Sequence, residues 1–213
     1  MICDGVLFDL DGTLWDSVSS VTASWNQSLR DDLHIPLSLS EAEVRGVMGL
    51  TAEEIADRFL SGYPNRKQEV VLTLLEKEND YIRRHGAAVY PGVRELFSSL
   101  SAELPLFLVS NCMKEYLLCF EEVAGVEAYV TDWACIGSPC GSKAENIRHL
   151  VNKYSLSHPV YVGDTEKDEA AAKEAGCRFI HAAYGFGSAE RPDGVIRSLP
   201  ELPGLLTLEA AHD

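Results

Sequence analysis

The stretch 6-VLFDLDGTLWDS-17 places two acids at the end of an apolar run. Residues 6–8 predict a buried strand, which Asp9 and Asp11 follow before Gly12 lets the chain turn away. A buried carboxylate is unfavourable unless it is hydrogen-bonded, paired with an opposite charge or bound to a cation. Because side chains two apart on an extended strand point to the same side, Asp9 and Asp11 are predicted to face one cavity. The stretch therefore predicts a polar site at the end of a core strand.

The composition is that of an ordinary globular protein with a strong acidic excess. The chain has 213 residues, which is enough for one domain or two modest ones with a sizeable core. Its formal net charge of -15 argues against a nucleic-acid surface, which needs a basic stripe to neutralise phosphates. A small anionic substrate is not excluded, because a local pocket can oppose the global field.

Features of membrane and exported proteins are not evident in the sequence. It has no apolar stretch of about 18 residues, so no membrane span is predicted. Cys3 and Asp4 stand where a signal peptide would have its basic region. The cysteines are scattered, and the C-x4-C spacing of Cys135 and Cys140 is not a usual zinc spacing. We therefore predict reduced thiols and a cytoplasmic location.

Apolar runs and helical patterns alternate over most of the chain, which favours a doubly wound, Rossmann-like α/β parallel sheet with right-handed crossovers. The runs predicted as strands are residues 6–8, 106–109, 128–130, 160–162 and 179–180. The segments predicted as helices between them are residues 92–101, 114–124, 143–154 and 166–175.

The stretch between about Trp15 and Ala87 departs from this alternation. It contains no convincing strand, and its apolar stripes predict helices over roughly residues 18–33, 51–60 and 65–85. We therefore predict an inserted helical cap at 15–87 and an α/β core formed by 1–14 and 88–213. The hinges are expected near residues 13–17 and 86–92, where the chain enters and leaves the cap.

Polar residues follow the later predicted strands, at the edge where ligands bind in open parallel sheets. Ser110 and Asn111 end one strand, and Asp164 ends another. Lys143 opens a helix and Asp168 lies in the first turn of the next. Carboxylates with few other ligands suit Mg2+, and a lysine beside helix N–H groups suits a phosphoryl group.

These motifs, in this order, resemble the haloacid dehalogenase superfamily over essentially the whole chain. The resemblance is carried by FDLDGTL at 8–14, Ser110, Lys143 and GDTEKD at 163–168. The resemblance is specifically to phosphatases with a helical cap inserted after the first strand (subfamily IA), and within the superfamily the chain looks most similar to phosphoglycolate phosphatases and their near relatives. One departure is that no proline follows Lys143.

The resemblance implies a role for each reacting and phosphoryl-binding residue. Asp9 is expected to attack phosphorus and become an aspartyl-phosphate. Asp11 is expected to protonate the leaving oxygen and then to act as base for the hydrolytic water. Ser110, Asn111 and Lys143 are expected to hold the phosphoryl oxygens, so that fixed positive charge and hydrogen-bond donors oppose the charge on the transferring group.

A metal site is implied by the same resemblance. Mg2+ is expected to be bound by Asp9, the backbone carbonyl of Asp11, and Asp164. Asp168 is expected to orient Lys143 or a metal-bound water, although an acid in a first helical turn also favours the helix dipole.

The cap is where substrate specificity is expected. The stretch 44-VRGVMGLTAEE-54 interrupts two helical patterns with two glycines, as expected of a loop that reaches the active site. Arg45 is our candidate substrate contact, with an exposed helical arginine as the alternative. Trp15 and Asp16 are interpreted as hinge packing and helix capping.

We therefore predict a Mg2+-dependent phosphohydrolase of a small phosphorylated metabolite, with phosphoglycolate as the leading candidate. A dehalogenase needs no acid at position 11, so Asp11 counts against it. A phosphoglucomutase shares all four motifs and stays open as an alternative. A non-catalytic binding module would be expected to have lost Asp9 or Asp11. Neither a nucleic acid nor a membrane is an expected partner, and the sequence leaves both a monomer and a homodimer open.

Overall fold

A parallel sheet lies at the centre of the computed structural model, which describes residues 1–136 and 141–208. The strands of the described residues are β1 (Ile2–Cys3), β2 (Gly5–Phe8), β3 (Trp15–Asp16), β4 (Ala88–Val89), β5 (Leu106–Val109), β6 (Asp132–Ala134), β7 (Pro159–Gly163), β8 (Arg178–Ala182), β9 (Gly194–Ile196) and β10 (Thr207–Leu208). Six of them form the sheet in the order β6-β5-β2-β7-β8-β9.

The first long strand, β2, lies in the middle of this sheet. It pairs in parallel with β5 on one side and β7 on the other. The chain is thus wound in opposite directions from β2, which opens a crevice at the carboxyl ends of these three strands. The predicted doubly wound, Rossmann-like sheet is confirmed.

Helices cover both faces of the sheet and form the cap. They are α1 (Val18–Asp31), α2 (Glu41–Arg45), α3 (Ala52–Phe59), α4 (Lys67–His85), α5 (Val93–Leu100), α6 (Lys114–Ala124), α7 (Lys143–Lys153) and α8 (Glu166–Glu174), followed by a 3-10 helix at Leu199–Leu205. Val6 and Phe8 pack into the core on one face of the sheet, and Leu7 packs into a separate core on the other. In the described residues, none of these helices is both long enough and apolar enough to cross a membrane.

The helical cap leaves the core and returns to it along a two-stranded ribbon. Strands β3 and β4 are antiparallel, with Trp15 opposite Val89 and Asp16 opposite Ala88. Between them lie α1 to α4, of which α1 and α4 pack along their lengths. The boundaries that we assigned to the cap, 15–87, remain a prediction.

Two sequence predictions were wrong. The strand predicted at 128–130 is a turn, and β6 begins at Asp132 instead. Helix α6 is followed by Gly125 in the left-handed conformation, which ends the helix. Tyr129 and Val130 then pack as partly buried residues outside any strand, before pairing with β5 begins. The stretch between about Trp15 and Ala87, for which no convincing strand was predicted, begins with the strand β3. This strand was missed because it is only two residues long and gives no recognisable pattern.

Gly185, in the turn after β8, packs against the turn that follows β2. A methyl group added here would overlap Cβ of Asp164 and the backbone oxygen of Gly12. Gly185→Ala is therefore expected to lower the free energy of unfolding by about 1–3 kcal/mol, as overpacking of a dense site does. Denaturant unfolding measures this change.

The matched control is Gly62→Ala in the cap, where an added methyl group meets nothing within 4 Å. Equal losses in the two variants would show that close packing at Gly185 is not what requires glycine there.

Candidate active site

The predicted site residues converge because three adjacent strands end at one edge of the sheet. Asp9 and Asp11 follow β2, Ser110 and Asn111 follow β5, and Asp164 follows β7. Since β2 lies between β5 and β7, residues far apart in the chain meet around the end of β2.

Lys143 joins the sheet to two helices. It is the first residue of α7, whose N-terminus is closed by a capping box between Ser142 and Glu145. Its Nζ donates to Asp9 Oδ1 at 2.8 Å and to Asp168 Oδ1 at 2.5 Å. Only 9% of the Lys143 side chain is exposed, so this ammonium has left bulk water and depends on its two carboxylate partners.

Asp168 is held on its other side by the start of α8. Its Oδ2 accepts from the backbone N–H of Thr165 at 3.1 Å and from the Thr165 hydroxyl at 2.6 Å. Both carboxylate oxygens of Asp168 are therefore engaged, one by the helix cap and one by Lys143. The helix thus fixes the carboxylate that positions the lysine.

Asp9, Asp164 and Asp168 could together hold a metal ion. Each offers a carboxylate oxygen, and these atoms lie within 4.8 Å of one another. Asp164 Oδ2 accepts from the backbone N–H of Phe186 at 2.7 Å, whereas Asp164 Oδ1 is buried without a hydrogen-bond partner in the described residues. Three acids around one ammonium and an unpartnered buried oxygen fit a divalent cation.

Two acids of this group, Asp9 and Asp164, are held in an environment that disfavours their charged forms. Burial raises the pKa of Asp164 to about 6, and the neighbouring Asp168 adds to the rise. Burial also raises the pKa of Asp9 well above its usual range; Lys143 opposes that rise, while Asp168 and Asp164 reinforce it. A bound cation would favour the charged forms of these carboxylates.

Asp11 has different partners from Asp9. Its Oδ1 accepts hydrogen bonds from the Ser17 hydroxyl at 2.7 Å and from the Tyr116 hydroxyl at 2.8 Å. Burial raises the pKa of Asp11, and these two hydrogen bonds partly oppose the rise. The Asp11 side chain is not part of the group formed by Asp9, Asp164 and Asp168, and binding of a cation by its backbone carbonyl remains a prediction.

Two other predicted site residues contact the other subdomain. Asn111, in the core, donates from Nδ2 to the backbone oxygen of Gly49 in the cap at 3.0 Å. Arg45, in the cap, bonds to Asp16 Oδ2 at 3.1 Å, and its guanidinium lies 4.6 Å from the ring centroid of Phe186. Their predicted contacts with phosphoryl or substrate remain predictions.

A cavity lies between the cap and the carboxyl edge of the sheet. Its polar lining consists of Asp11, Ser110, Asn111 and Tyr116 from the core together with Glu78 from the cap. The remaining lining is mainly apolar: Val21, Trp25, Val47, Met48, Gly49, Leu50, Ile55, Cys112 and Met113.

Sequence reasoning missed Tyr116, Ser17 and Glu78. Glu78 had a signal, since it interrupts the apolar stripe of α4 between Leu74 and Ile82, at helical spacing from both. Tyr116 had none, because it lies 105 positions from its partner Asp11 in the sequence.

Comparison with known proteins gives a family match over most of the chain. The model of the family described as "Haloacid dehalogenase-like hydrolase" matches residues 6–182. A protein named phosphoglycolate phosphatase from Vibrio parahaemolyticus is 30% identical and is aligned over 96% of each chain. The predicted phosphatase class of enzyme is confirmed at this level.

Solved structures share the fold. A haloacid dehalogenase-like hydrolase from Streptococcus pneumoniae superposes with a TM-score of 0.77 at 22% identity, over 95% of this chain and 98% of that one. CbbY from Rhodobacter sphaeroides, solved in complex with phosphate, superposes with a TM-score of 0.81 at 19% identity, over 94% and 96% of the two chains. With the family match over most of its length, this chain belongs to the haloacid dehalogenase-like hydrolase family.

Proposed function

We propose that the protein hydrolyses a small phosphate monoester in two steps, with Mg2+ bound and with an aspartyl-phosphate formed on Asp9. The observation that carries the proposal is the convergence of Asp9, Asp164 and Asp168, of which Asp9 and Asp168 bind Lys143, with one Asp164 oxygen that has no partner among the described residues. Such a site combines an acceptor for phosphorus with fixed positive charge for the phosphoryl oxygens.

In the first step, a carboxylate oxygen of Asp9 attacks phosphorus as the bond from phosphorus to the alcohol oxygen breaks. Asp11 gives its proton to the departing oxygen. The raised pKa of Asp11 supports this role, because a general acid near neutral pH must still hold its proton.

In the second step, a water attacks phosphorus, and the bond from phosphorus to the Asp9 oxygen breaks to release phosphate. Asp11, now charged, takes the proton of that water. The hydroxyls of Ser17 and Tyr116 support this second role, since hydrogen bonds to the charged carboxylate favour it.

The remaining residues bind and orient. A divalent cation held by Asp9, Asp164 and the backbone carbonyl of Asp11 would supply positive charge that reduces repulsion between Asp9 and the substrate. Lys143 binds a phosphoryl oxygen, and its contact with Asp168 favours the positioning role for that acid.

Ser110 and Asn111 complete the proposed phosphoryl site. Asn111 would exchange the Gly49 backbone oxygen for a phosphoryl oxygen when substrate binds. Binding of the phosphoryl group would then change a contact between core and cap.

Phosphoglycolate is the first substrate to test, because relatives that align with nearly the whole chain carry the name phosphoglycolate phosphatase. We also propose a cytoplasmic location, in keeping with the free thiols of the five cysteines within the described residues, which do not include Cys140.

Asp9→Asn is expected to abolish hydrolysis, because an amide cannot form the aspartyl-phosphate. Phosphate release from phosphoglycolate and from an aryl phosphate, with Mg2+ present, measures this loss. Asp31→Asn changes an acid that is exposed on α1 and should leave the rate unchanged. Full activity of Asp9→Asn would disprove the assignment of Asp9 as the nucleophile. A natural chain that releases phosphate from neither substrate would disprove the proposed function.

Mg2+ is expected to raise the unfolding temperature more at about pH 7.5 than at about pH 5, because a proton on Asp164 competes with the cation. Without metal, the stability of the protein depends on pH in the opposite direction. The folded-state pKa of Asp164 is raised, so the contribution of Asp164 favours the folded state as pH falls through about 6. Thermal unfolding at both pH values with and without Mg2+ measures both trends. Asp164→Asn should lose the Mg2+ response; a retained response would place the cation elsewhere.

Tyr116→Phe is expected to raise the pKa of Asp11, because it removes a hydrogen bond that favours the charged carboxylate. The acidic limb of the pH profile of kcat should then move to higher pH, since the second step needs charged Asp11. The control is Tyr129→Phe, in the turn between α6 and β6, which lies at the amino ends of the strands and so away from Asp11. A lower kcat with an unmoved pH profile would assign Tyr116 to packing alone.

A further inference from the structure

The cap closes the cavity above the strand ends with a wall of buried side chains. This wall is formed by Val21 and Trp25 of α1, Ile55 of α3 and Glu78 of α4, none of which is more than 7% exposed. Trp25 Nε1 donates to Glu78 Oε2 at 2.6 Å, and the Trp25 ring packs edge-to-face against Phe59. The wall is therefore held from behind, and a ligand that reaches it cannot extend further in this direction.

The space in front of the wall is small. The cavity volume of about 50 Å3 is room for about three to five water-sized groups, because one such group needs about 10–15 Å3 by the same measure. Asp11, proposed to protonate the leaving oxygen, lines the core side of the cavity, so the alcohol part of the substrate begins there. The room between Asp11 and the wall corresponds to an alcohol of about two or three carbon atoms, and a hexose exceeds it.

The cavity also offers few hydrogen-bond partners to an alcohol. Among the polar side chains of its described lining, Ser110 and Asn111 are proposed to hold the phosphoryl group. The Tyr116 hydroxyl donates to Asp11. Glu78 is the polar side chain left for the alcohol, because the rest of the described lining is mainly apolar. A hydroxyl group enclosed there without a partner weakens binding by about tenfold or more.

We propose that the wall of Val21, Trp25, Ile55 and Glu78 limits the substrate to esters of short alcohols with few free hydroxyl groups, and makes the site reject sugar phosphates. These residues determine specificity through their shape and position, so the limit holds whether or not Glu78 carries a proton. The inference rests on the proposed function and narrows its substrate class. Phosphoglycolate falls within the limit, and the hexose phosphates of a phosphoglucomutase fall outside it.

Three phosphate esters of increasing alcohol size test the proposal: 2-hydroxyethyl phosphate, glycerol 1-phosphate and glucose 6-phosphate. With Mg2+ present, kcat/KM for 2-hydroxyethyl phosphate is expected to exceed that for glucose 6-phosphate by about a hundredfold or more. The sugar is larger than the cavity, and several of its hydroxyl groups would lack partners there. Glycerol 1-phosphate is expected to lie between the other two.

Val21→Ala enlarges the cavity by removing two methyl groups from the wall. It should raise kcat/KM for glycerol 1-phosphate relative to 2-hydroxyethyl phosphate by about three- to tenfold, because the larger alcohol needs a similar amount of extra room. The matched control is Val70→Ala, which makes the same change at a fully buried residue of α4 that is not part of the described lining. It should leave the ratio unchanged, and thermal unfolding checks that both variants are folded.

Each other outcome contradicts a stated part of the argument. Hydrolysis of glucose 6-phosphate as efficient as that of 2-hydroxyethyl phosphate would overturn the inference and leave the phosphatase intact. Hydrolysis of an aryl phosphate but of none of the three esters would do the same. A ratio that Val21→Ala does not alter, or that Val70→Ala alters equally, would also overturn the inference. Failure to hydrolyse the three esters, phosphoglycolate and an aryl phosphate would instead overturn the proposed function, and the inference with it.

Discussion

The contact of the Lys143 ammonium with two carboxylates is the interaction on which the candidate site depends. A buried lysine is stable only when its charge is matched, and Asp9 and Asp168 supply that match from opposite sides. The pair also joins the end of the central strand to the starts of α7 and α8, so that three separate parts of the chain share one charge balance. The acids nevertheless outnumber the lysine, and this surplus of negative charge is what a bound cation would offset.

The parts of the fold that depend on local pattern were predictable. Helix α6 was predicted with its observed bounds, and β5 likewise, because each has an uninterrupted pattern between clear breaks. Strand β6 was misplaced since its position depends on where the turn after α6 ends, which tertiary packing decides. The two-residue strands β3 and β4 exist only through their pairing with each other, which no local pattern encodes.

The residues of the candidate site likewise include some that the sequence identifies and some that only the fold brings into place. The acids at the strand ends could be identified from the sequence, because a carboxylate directly after a buried apolar run is unfavourable unless it has a partner or a ligand. Tyr116 could not be identified, since nothing near it in the sequence distinguishes it from a core tyrosine, and only the fold brings it to Asp11. Glu78 lay between these cases: a charged residue on an apolar helix stripe was visible, but its position above the strand ends required the packing of α4 against α1.

The ribbon formed by β3 and β4 has a consequence for the history of the fold. Asp16 and Ala88 are cross-strand neighbours, so the entire cap occupies the place of the turn in a β-hairpin. In topological terms, an ancestor could gain, lose or exchange everything between these two residues without altering the order of the strands in the sheet. The part of the molecule that we propose to meet the alcohol is thereby free to diverge, while the part that we propose to hold the phosphoryl group keeps its architecture.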